Sequence, residues 1–210
     1  MVSLTDRISN FLGGQDTEAD EGLRDLFITE LKTIFYAERH IVDALGRQAD
    51  AGTSNEVRAA FADHQNETRT HISRLESIFR ILSVEAKENA SHAVDGLIND
   101  AKFAVNDTQD GSLTRDASLI IAAQKLEHFE IASYGSLLTL ARVLGFDQSV
   151  ELLEQTLNEE KAADRRLTEL AESFVNLQAR KEETPGSHHE SRAPLHTTDS
   201  DVTLGGPLGV

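Results

Sequence analysis

Glu67-Thr-Arg-Thr-His71 begins fifteen residues after Gly52, and Glu160-Lys-Ala-Ala-Asp164 begins fifteen residues after Gly145. The same acidic i, i+4 signature at the same distance from a glycine turn is the trace of a duplicated helical hairpin. Each signature sits in an apolar stripe of helical period: Val57, Phe61, His64, Glu67, His71, Leu75, Ile78 and Leu82 in one, Val150, Leu153, Leu157, Glu160, Asp164, Leu167, Ala171 and Phe174 in the other. Neither stripe contains Lys or Arg. Burying unpaired carboxylates costs several kcal/mol each, so bound metal cations are the expected counter-charge.

Working outward from the two turns, the periodicity predicts a first helix over about 22–50, a second over 54–83, a third over 112–144 and a fourth over 148–177. The long interval between the hairpins carries a weaker apolar spacing over 91–106, which reads as a short helix within a crossover. An up-down bundle needs no such connection. The expected fold is therefore all-α, a ferritin-like four-helix bundle of two antiparallel hairpins joined by an overhand crossover with a short helix. The expected organisation is a short N-terminal helix and acidic linker over 1–20, the four-helix domain over 21–179, and a C-terminal tail over 180–210. In residues 3–12, Leu4, Ile8, Phe11 and Leu12 share one side of that short helix. The tail is polar and rich in Ser, Thr, His and acids, then turns apolar over 202–210, the pattern of a tether ending in a docking peptide.

Composition narrows the chemistry. The 210-residue chain is 39% hydrophobic, enough for one domain with a sizeable core. Its three prolines, at 185, 194 and 207, leave the helical region free of the strongest helix breaker. It has no cysteine, which removes thiolate catalysis, disulfides and iron-sulfur clusters. A formal charge of -16 opposes nucleic-acid binding, since a polyanion would be repelled, and reads first as a solubility device. No apolar run of membrane length and no charged-then-apolar leader is evident, so a soluble, cytoplasmic protein is expected.

In an antiparallel hairpin, residues equally far from the turn lie at equal height. Glu38 is fourteen residues before Gly52 and Glu130 fifteen before Gly145, which sets Glu38 opposite Glu67 and Glu130 opposite Glu160, with His71 and Asp164 one turn along. Glu127, on the inner stripe of the third helix, is the best additional ligand. The expected metal set is thus Glu38, Glu67, His71, Glu127, Glu130, Glu160 and Asp164. Oxygen donors with one imidazole suit two divalent ions, iron or manganese, better than zinc or copper. His64 reads as a core histidine beside the site, His128 as exposed or supporting, Glu30 as part of a second site or a dimer contact, and Tyr134 as a hydrogen-bond donor to a ligand carboxylate. His188 and His189 are too few to make a site of their own.

The stretch from Leu23 to Phe174 resembles the YciE/YciF-type ferritin-like family. The resemblance is carried by Leu26-Phe-Ile-Thr-Glu-Leu-Lys and Tyr36-Ala-Glu38, by His64-Gln-Asn-Glu67 with His71, by Gln124-Lys-Leu-Glu-His-Phe-Glu-Ile-Ala-Ser-Tyr-Gly135, and by Glu159-Glu-Lys-Ala-Ala-Asp164. It implies a four-helix core, a homodimer and a dimetal site between the hairpins, in a family associated with stress responses. This chain departs from the broader ferritin and rubrerythrin pattern of Glu-x-x-His: its second-helix pair is spaced by four, and Asp164 replaces the second His. The C-terminal Val202-Thr-Leu-Gly-Gly-Pro-Leu-Gly resembles the cargo peptides of ferritin-like proteins packaged in encapsulin shells. Three functions compete: a dimetal redox protein acting on ferrous ion or peroxide, an iron-binding or storage cargo of a shell, and a non-catalytic structural bundle.

Overall fold

A computed structural model of the chain describes residues 17–182, and these are helical throughout apart from turns and one extended connection. The helices are α1 (Thr17–Ala51), α2 (Asn55–Ile81), α3 (His92–Asn106), α4 (Leu113–Val143), α5 (Asp147–Leu170) and, after a π-helical stretch Ala171–Val175, α6 (Asn176–Glu182). The first begins and the last ends a few residues outside the expected 21–179 span. The N-terminal amphipathic segment, His188, His189 and the apolar peptide 202–210 lie outside the described residues.

The four long helices pack in the ring α1–α2–α5–α4, and α3 lies against α1 and α4 only. The crossover is pinned along α1. Asn89 N–H donates to the Lys32 carbonyl (3.1 Å), Arg39 pairs with Glu88 (2.9 Å), and the Tyr36 hydroxyl donates to Asp95 (2.6 Å). It runs beside α1 to the end where the first hairpin turns, so α4 starts there and returns antiparallel to α1. This is the overhand connection of the ferritin-like bundle.

All four long helices bury residues at alternating spacings of four and three: 27, 31, 34, 38, 41, 45, 48 in α1; 57, 61, 64, 68, 71, 75, 78 in α2; 116, 120, 123, 127, 130, 134, 137, 141 in α4; and 149, 153, 156, 160, 163, 167 in α5. That is the heptad of left-handed bundle packing, in which each inner side chain seats among residues of the facing helices. Apolar layers close both ends. Phe27 packs edge-to-face on Phe146 at 5.5 Å, and Phe35 on Phe79 at 5.4 Å, toward one end. Phe61, Leu119, Ile120 and Leu45 are fully buried toward the other.

The two hairpin turns differ in cause. Gly145 has φ +69° and ends α4 in the left-handed conformation that lets the Phe146 N–H reach the Ala141 carbonyl at 2.9 Å. Gly52 keeps an ordinary backbone and sits in a close approach, where a Cβ would lie 3.1 Å from Arg58 Cγ and 3.4 Å from Val57 Cγ1 and would press those side chains aside. Ser83 takes φ 54° after α2, closing it with a Val84 N–H to Phe79 carbonyl bond of 2.9 Å. The π stretch inserts extra backbone into the last turns. It moves the inward position from Phe174, which the unbroken stripe requires, to Val175, which is fully buried.

One buried carboxylate joins the hairpins at their shared end. Asp116, fully enclosed in the first turn of α4, accepts the Thr53 N–H (2.6 Å) and the Ser54 N–H (2.8 Å). Thr53 Oγ1 donates to the Ser112 carbonyl at 2.8 Å, and Ser54 also caps α2 through the Val57 N–H. Replacing Asp116 by Ala strands two partly buried N–H groups, so the variant is expected to lose about 2 kcal/mol of unfolding free energy; chemical denaturation of the purified variant beside the wild type measures it.

Candidate metal centre

At mid-height the apolar layers give way to six buried ionisable side chains: Glu38 on α1, His64 and His71 on α2, Glu127 and Glu130 on α4, and Glu160 on α5, none more than 4% exposed. They fall into two groups that share Glu160. His64, Glu127, Glu130 and Glu160 offer donor atoms within 4.8 Å of one another, and so do Glu38, His71 and Glu160. Among the described residues no Lys or Arg lies within ion-pair distance of these four carboxylates.

The donor atoms approach one another without forming hydrogen bonds. His64 Nε2 is 2.9 Å from Glu127 Oε1 and 3.7 Å from Glu160 Oε2. His71 Nδ1 is 2.9 Å from Glu160 Oε1 and 3.5 Å from Glu38 Oε1. Neither nitrogen is aligned for a hydrogen bond, however, and both remain unsatisfied. Eight of the eleven unpaired buried side-chain polar atoms among the described residues belong to these six side chains, including both oxygens of Glu130 and of Glu160. Such atoms are rare in folded interiors because each costs about 1–3 kcal/mol. Lone pairs that converge on shared space rather than on each other are the geometry of a site for cations, and the donor set, carboxylate oxygens with one imidazole in each group, fits hard to intermediate divalent ions.

Electrostatics agree. Burial, then Glu160, Glu38 and Glu127, push the Glu130 carboxyl well above its ordinary range. Burial raises Glu160 to about 7 against the partial opposition of His71. Burial alone would lower both histidines, but their carboxylate neighbours more than reverse it: His71 rises to about 10 through Glu160 and Glu38, and His64 rises well above 6.5 chiefly through Glu127. Tyr134, fully buried, donates a very short hydrogen bond to Glu38 Oε1; burial and then the Glu38 and Glu160 charges raise its pKa, so the phenol keeps its proton.

The structure brings together five of the seven residues expected as ligands, Glu38, His71, Glu127, Glu130 and Glu160, and adds His64. Glu67 and Asp164 stand outside both groups. After His64 the inner position of α2 is Thr68, and after Glu160 that of α5 is Ala163, each alternating four with three. Glu67 is therefore about 60° around the helix from His64, and pairs with Arg166 on α5 at 2.6 Å. Asp164 faces Gln124 (3.4 Å) and His128 (3.5 Å) at the edge of the α4–α5 contact. The first connection spans residues 52–54 and is centred beyond Gly52, which moves the residue opposite Glu38 deeper, toward His71. Glu30 is exposed and far from the layer, and His128 is exposed, its Nδ1–H donating to the Gln124 carbonyl at 2.8 Å. Glu159, which sequence reasoning did not single out, contacts His71 Nε2 at 2.9 Å. A narrow opening between α2 and α5, lined by Ala60, Phe61, His64, Glu127, Ala163, Arg166 and Leu167, leads to the layer.

Residues 22–180 match the family model described as a domain of unknown function, DUF892. The chain belongs to the DUF892 family. It is 40% identical over 158 residues to the protein YciF of Escherichia coli K12, a match covering 75% of this chain and 95% of that protein. The crystal structure of the E. coli stress protein YciF aligns with a TM-score of 0.70, covering 73% of this chain and 97% of that one. YcfI of Rhodopseudomonas palustris, to which a structural role is ascribed, aligns at 36% identity and TM-score 0.67 over 70% of this chain and 92% of its own. A Xanthomonas campestris pv. campestris protein shares the fold at 18% identity and TM-score 0.63, over 77% and 99% of the two chains. The YciF-type resemblance and the all-α bundle stand as read from the sequence. No helix among the described residues is long and apolar enough to cross a membrane.

The raised pKa values fix a sign. For a carboxyl raised in the folded state, the stability contribution is complete below the ordinary value of 4.5 and is lost as pH rises, through about 7 for Glu160. For His71 it is complete below 6.5 and lost as pH rises through about 10. The two windows follow one another, so metal-free protein is expected to melt at progressively lower temperature from about pH 4.5 to about pH 10, while added Mn2+ gives a stabilisation that grows over the same interval as the competing protons leave. Differential scanning calorimetry with chelator and with Mn2+ checks both slopes.

Proposed function

We propose that this protein holds two divalent ions, iron or manganese, between its four core helices and serves in stress protection by oxidising ferrous ion or consuming peroxide. The observation that carries this reading is the convergence of eight buried, unpaired donor atoms from all four helices on one layer, with no Lys or Arg of the described residues paired to its carboxylates. One ion would be held by Glu38, His71 and Glu160, the other by His64, Glu127, Glu130 and Glu160, with Glu160 supplying an oxygen to each. Bound iron or manganese would supply one-electron chemistry that, in this cysteine-free chain, only a tyrosine could otherwise offer.

The protein's own groups then have definable tasks. Tyr134 fixes the Glu38 carboxylate by donating its hydroxyl hydrogen. Neither oxygen of Glu130 has a hydrogen-bond partner, and of the four carboxylates it is the one with no histidine of the described residues within ion-pair distance, which leaves it available to an ion. The apolar layers above and below exclude bulk water, which strengthens every charge interaction between them. The YciF likeness supports the stress association, since that relative is a stress protein. A homodimer and attachment of the apolar C-terminal peptide to a protein shell are further parts of the proposal.

A second reading, a purely structural bundle, is favoured by one observation. The raised Glu130 and Glu160 pKa values and the two imidazolium groups allow the layer to approach neutrality with protons alone. The two readings part on measurement. Natively purified protein should contain two Fe or Mn per chain by elemental analysis, and the iron-loaded protein should oxidise ferrous ion when given peroxide. Glu160→Gln should reduce the uptake of both ions by at least tenfold while leaving the metal-free protein as stable as the wild type or more so. Metal-free native protein that also refuses added Fe2+ and Mn2+ would favour the structural reading; loaded protein inert to oxygen and peroxide would leave storage.

A further inference from the structure

We infer that Glu67 and Glu159 are positioning residues, which hold His64 and His71 so that a particular ring nitrogen of each faces the carboxylate layer. The inference rests on the metal reading of that layer and assigns to Glu67 a task other than ligation. Each imidazole has one nitrogen inward and one outward. Inward are His64 Nε2 and His71 Nδ1, each 2.9 Å from a layer carboxylate. Outward, His64 Nδ1 lies 3.4 Å from Glu67 Oε2, and His71 Nε2 lies 2.9 Å from Glu159 Oε2. The outward nitrogens are aligned with a carboxylate oxygen, whereas the inward ones are not aligned with any partner. A neutral ring that donates its single N–H outward is left with its lone pair pointed into the layer, the arrangement a metal-binding imidazole requires.

Both outer carboxylates are in turn gripped by an arginine of the facing helix. Arg166 of α5 donates to Glu67 Oε2 of α2 at 2.6 Å, and Arg74 of α2 takes Glu159 of α5 in a two-pronged contact, with Nη2 to Oε1 at 2.9 Å and Nη1 to Oε2 closer still. The exchange is reciprocal: α5 steadies the carboxylate that aims His64, and α2 steadies the one that aims His71. The same Oε2 atom of Glu67 meets both Arg166 and His64, which holds that carboxylate outside the layer. The two-pronged contact fixes Glu159 in angle as well as in distance, and the single contact of Arg166 holds Glu67 in place, so each chain Arg–Glu–His bears on the orientation of the ring. A plain surface ion pair is the competing explanation, because the Glu67 and Glu159 side chains are 31% and 37% exposed, and such pairs matter little to stability. Two independent pairs that both terminate on the outward nitrogen of a layer histidine are not accounted for by surface pairing.

The test uses the full-length protein with Co2+ as probe. Wild type is expected to bind two Co2+ per chain by calorimetry and to show two hyperfine-shifted imidazole N–H proton signals that exchange slowly with D2O. Glu67→Gln and Glu159→Gln should each keep two ions but weaken binding roughly 10- to 100-fold, and each should speed the exchange of one N–H signal. Arg166→Gln, whose hydrogen bond goes to the Glu67 carboxylate and not to the histidine, should reproduce the Glu67→Gln effect in weaker form, and metal-free melting curves should remain close to wild type. Loss of one ion per chain in Glu67→Gln or Glu159→Gln would make that residue a ligand and overturn the inference. Affinity within twofold of wild type with unaltered N–H exchange would reduce the pairs to surface contacts. Wild-type protein that takes up no Co2+ would remove the metal reading itself, and the inference with it.

Discussion

Four carboxylates and two imidazoles share a water-poor layer halfway along the bundle, and everything else in the structure is arranged around the need to neutralise them. Ions of this kind lose several kcal/mol each on leaving water, and a bundle of this size has a total stability of only about 5–15 kcal/mol. The layer therefore persists only with compensation. Protons supply some of it, as the raised carboxyl pKa values of Glu130 and Glu160 record. Cations would supply it more completely, because one ion satisfies several lone pairs at once where a proton satisfies one. The apolar layers on either side, Phe27 to Phe79 below and Phe61 to Leu167 above, provide the favourable burial against which this cost is set.

Much of this was legible in the chain itself. The paired distances from Gly52 and Gly145, the absence of proline before residue 185 and the long interval between hairpins together define the bundle and its crossover. Glu38, Glu127, Glu130, Glu160 and His71 follow from helical periodicity. The misplacement of Glu67 and Asp164 has a specific origin. A stripe drawn by choosing polar residues that resemble each other departs from the strict four-three alternation, which picks Thr68 and Ala163 and passes over both. His64 lies on the stripe drawn either way and reads there as a core histidine; what the stripe does not show is that its inward nitrogen meets Glu127 and Glu160. Glu159 carries no such signal. It is a partly exposed residue on the outer flank of α5, and its importance comes from Arg74 and His71, both more than eighty residues away in the chain.

The repeat that betrays the fold is also less symmetrical than the sequence suggests. Gly145 takes a left-handed backbone and Gly52 sits in a close approach, so the two turns reach a similar path by different physics. The hairpins contribute unlike chemistry as well: the first brings both imidazoles and one carboxylate, the second brings three carboxylates. Duplication has thus supplied the frame, and the donor atoms have been distributed over it without regard to the internal symmetry.

Among the described residues the crossover helix α3 covers the α1–α4 side of the bundle and does not reach the α2–α5 side. On that side a small recess, bordered by Ala60 and Ala163, reaches His64 and Glu127 at the edge of the layer. Glu38 and the Tyr134 phenol do not border it and are fully buried. The donors of the layer thus differ in depth as well as in chemistry, with the two nearest the recess separated from the two that lie deepest in the bundle.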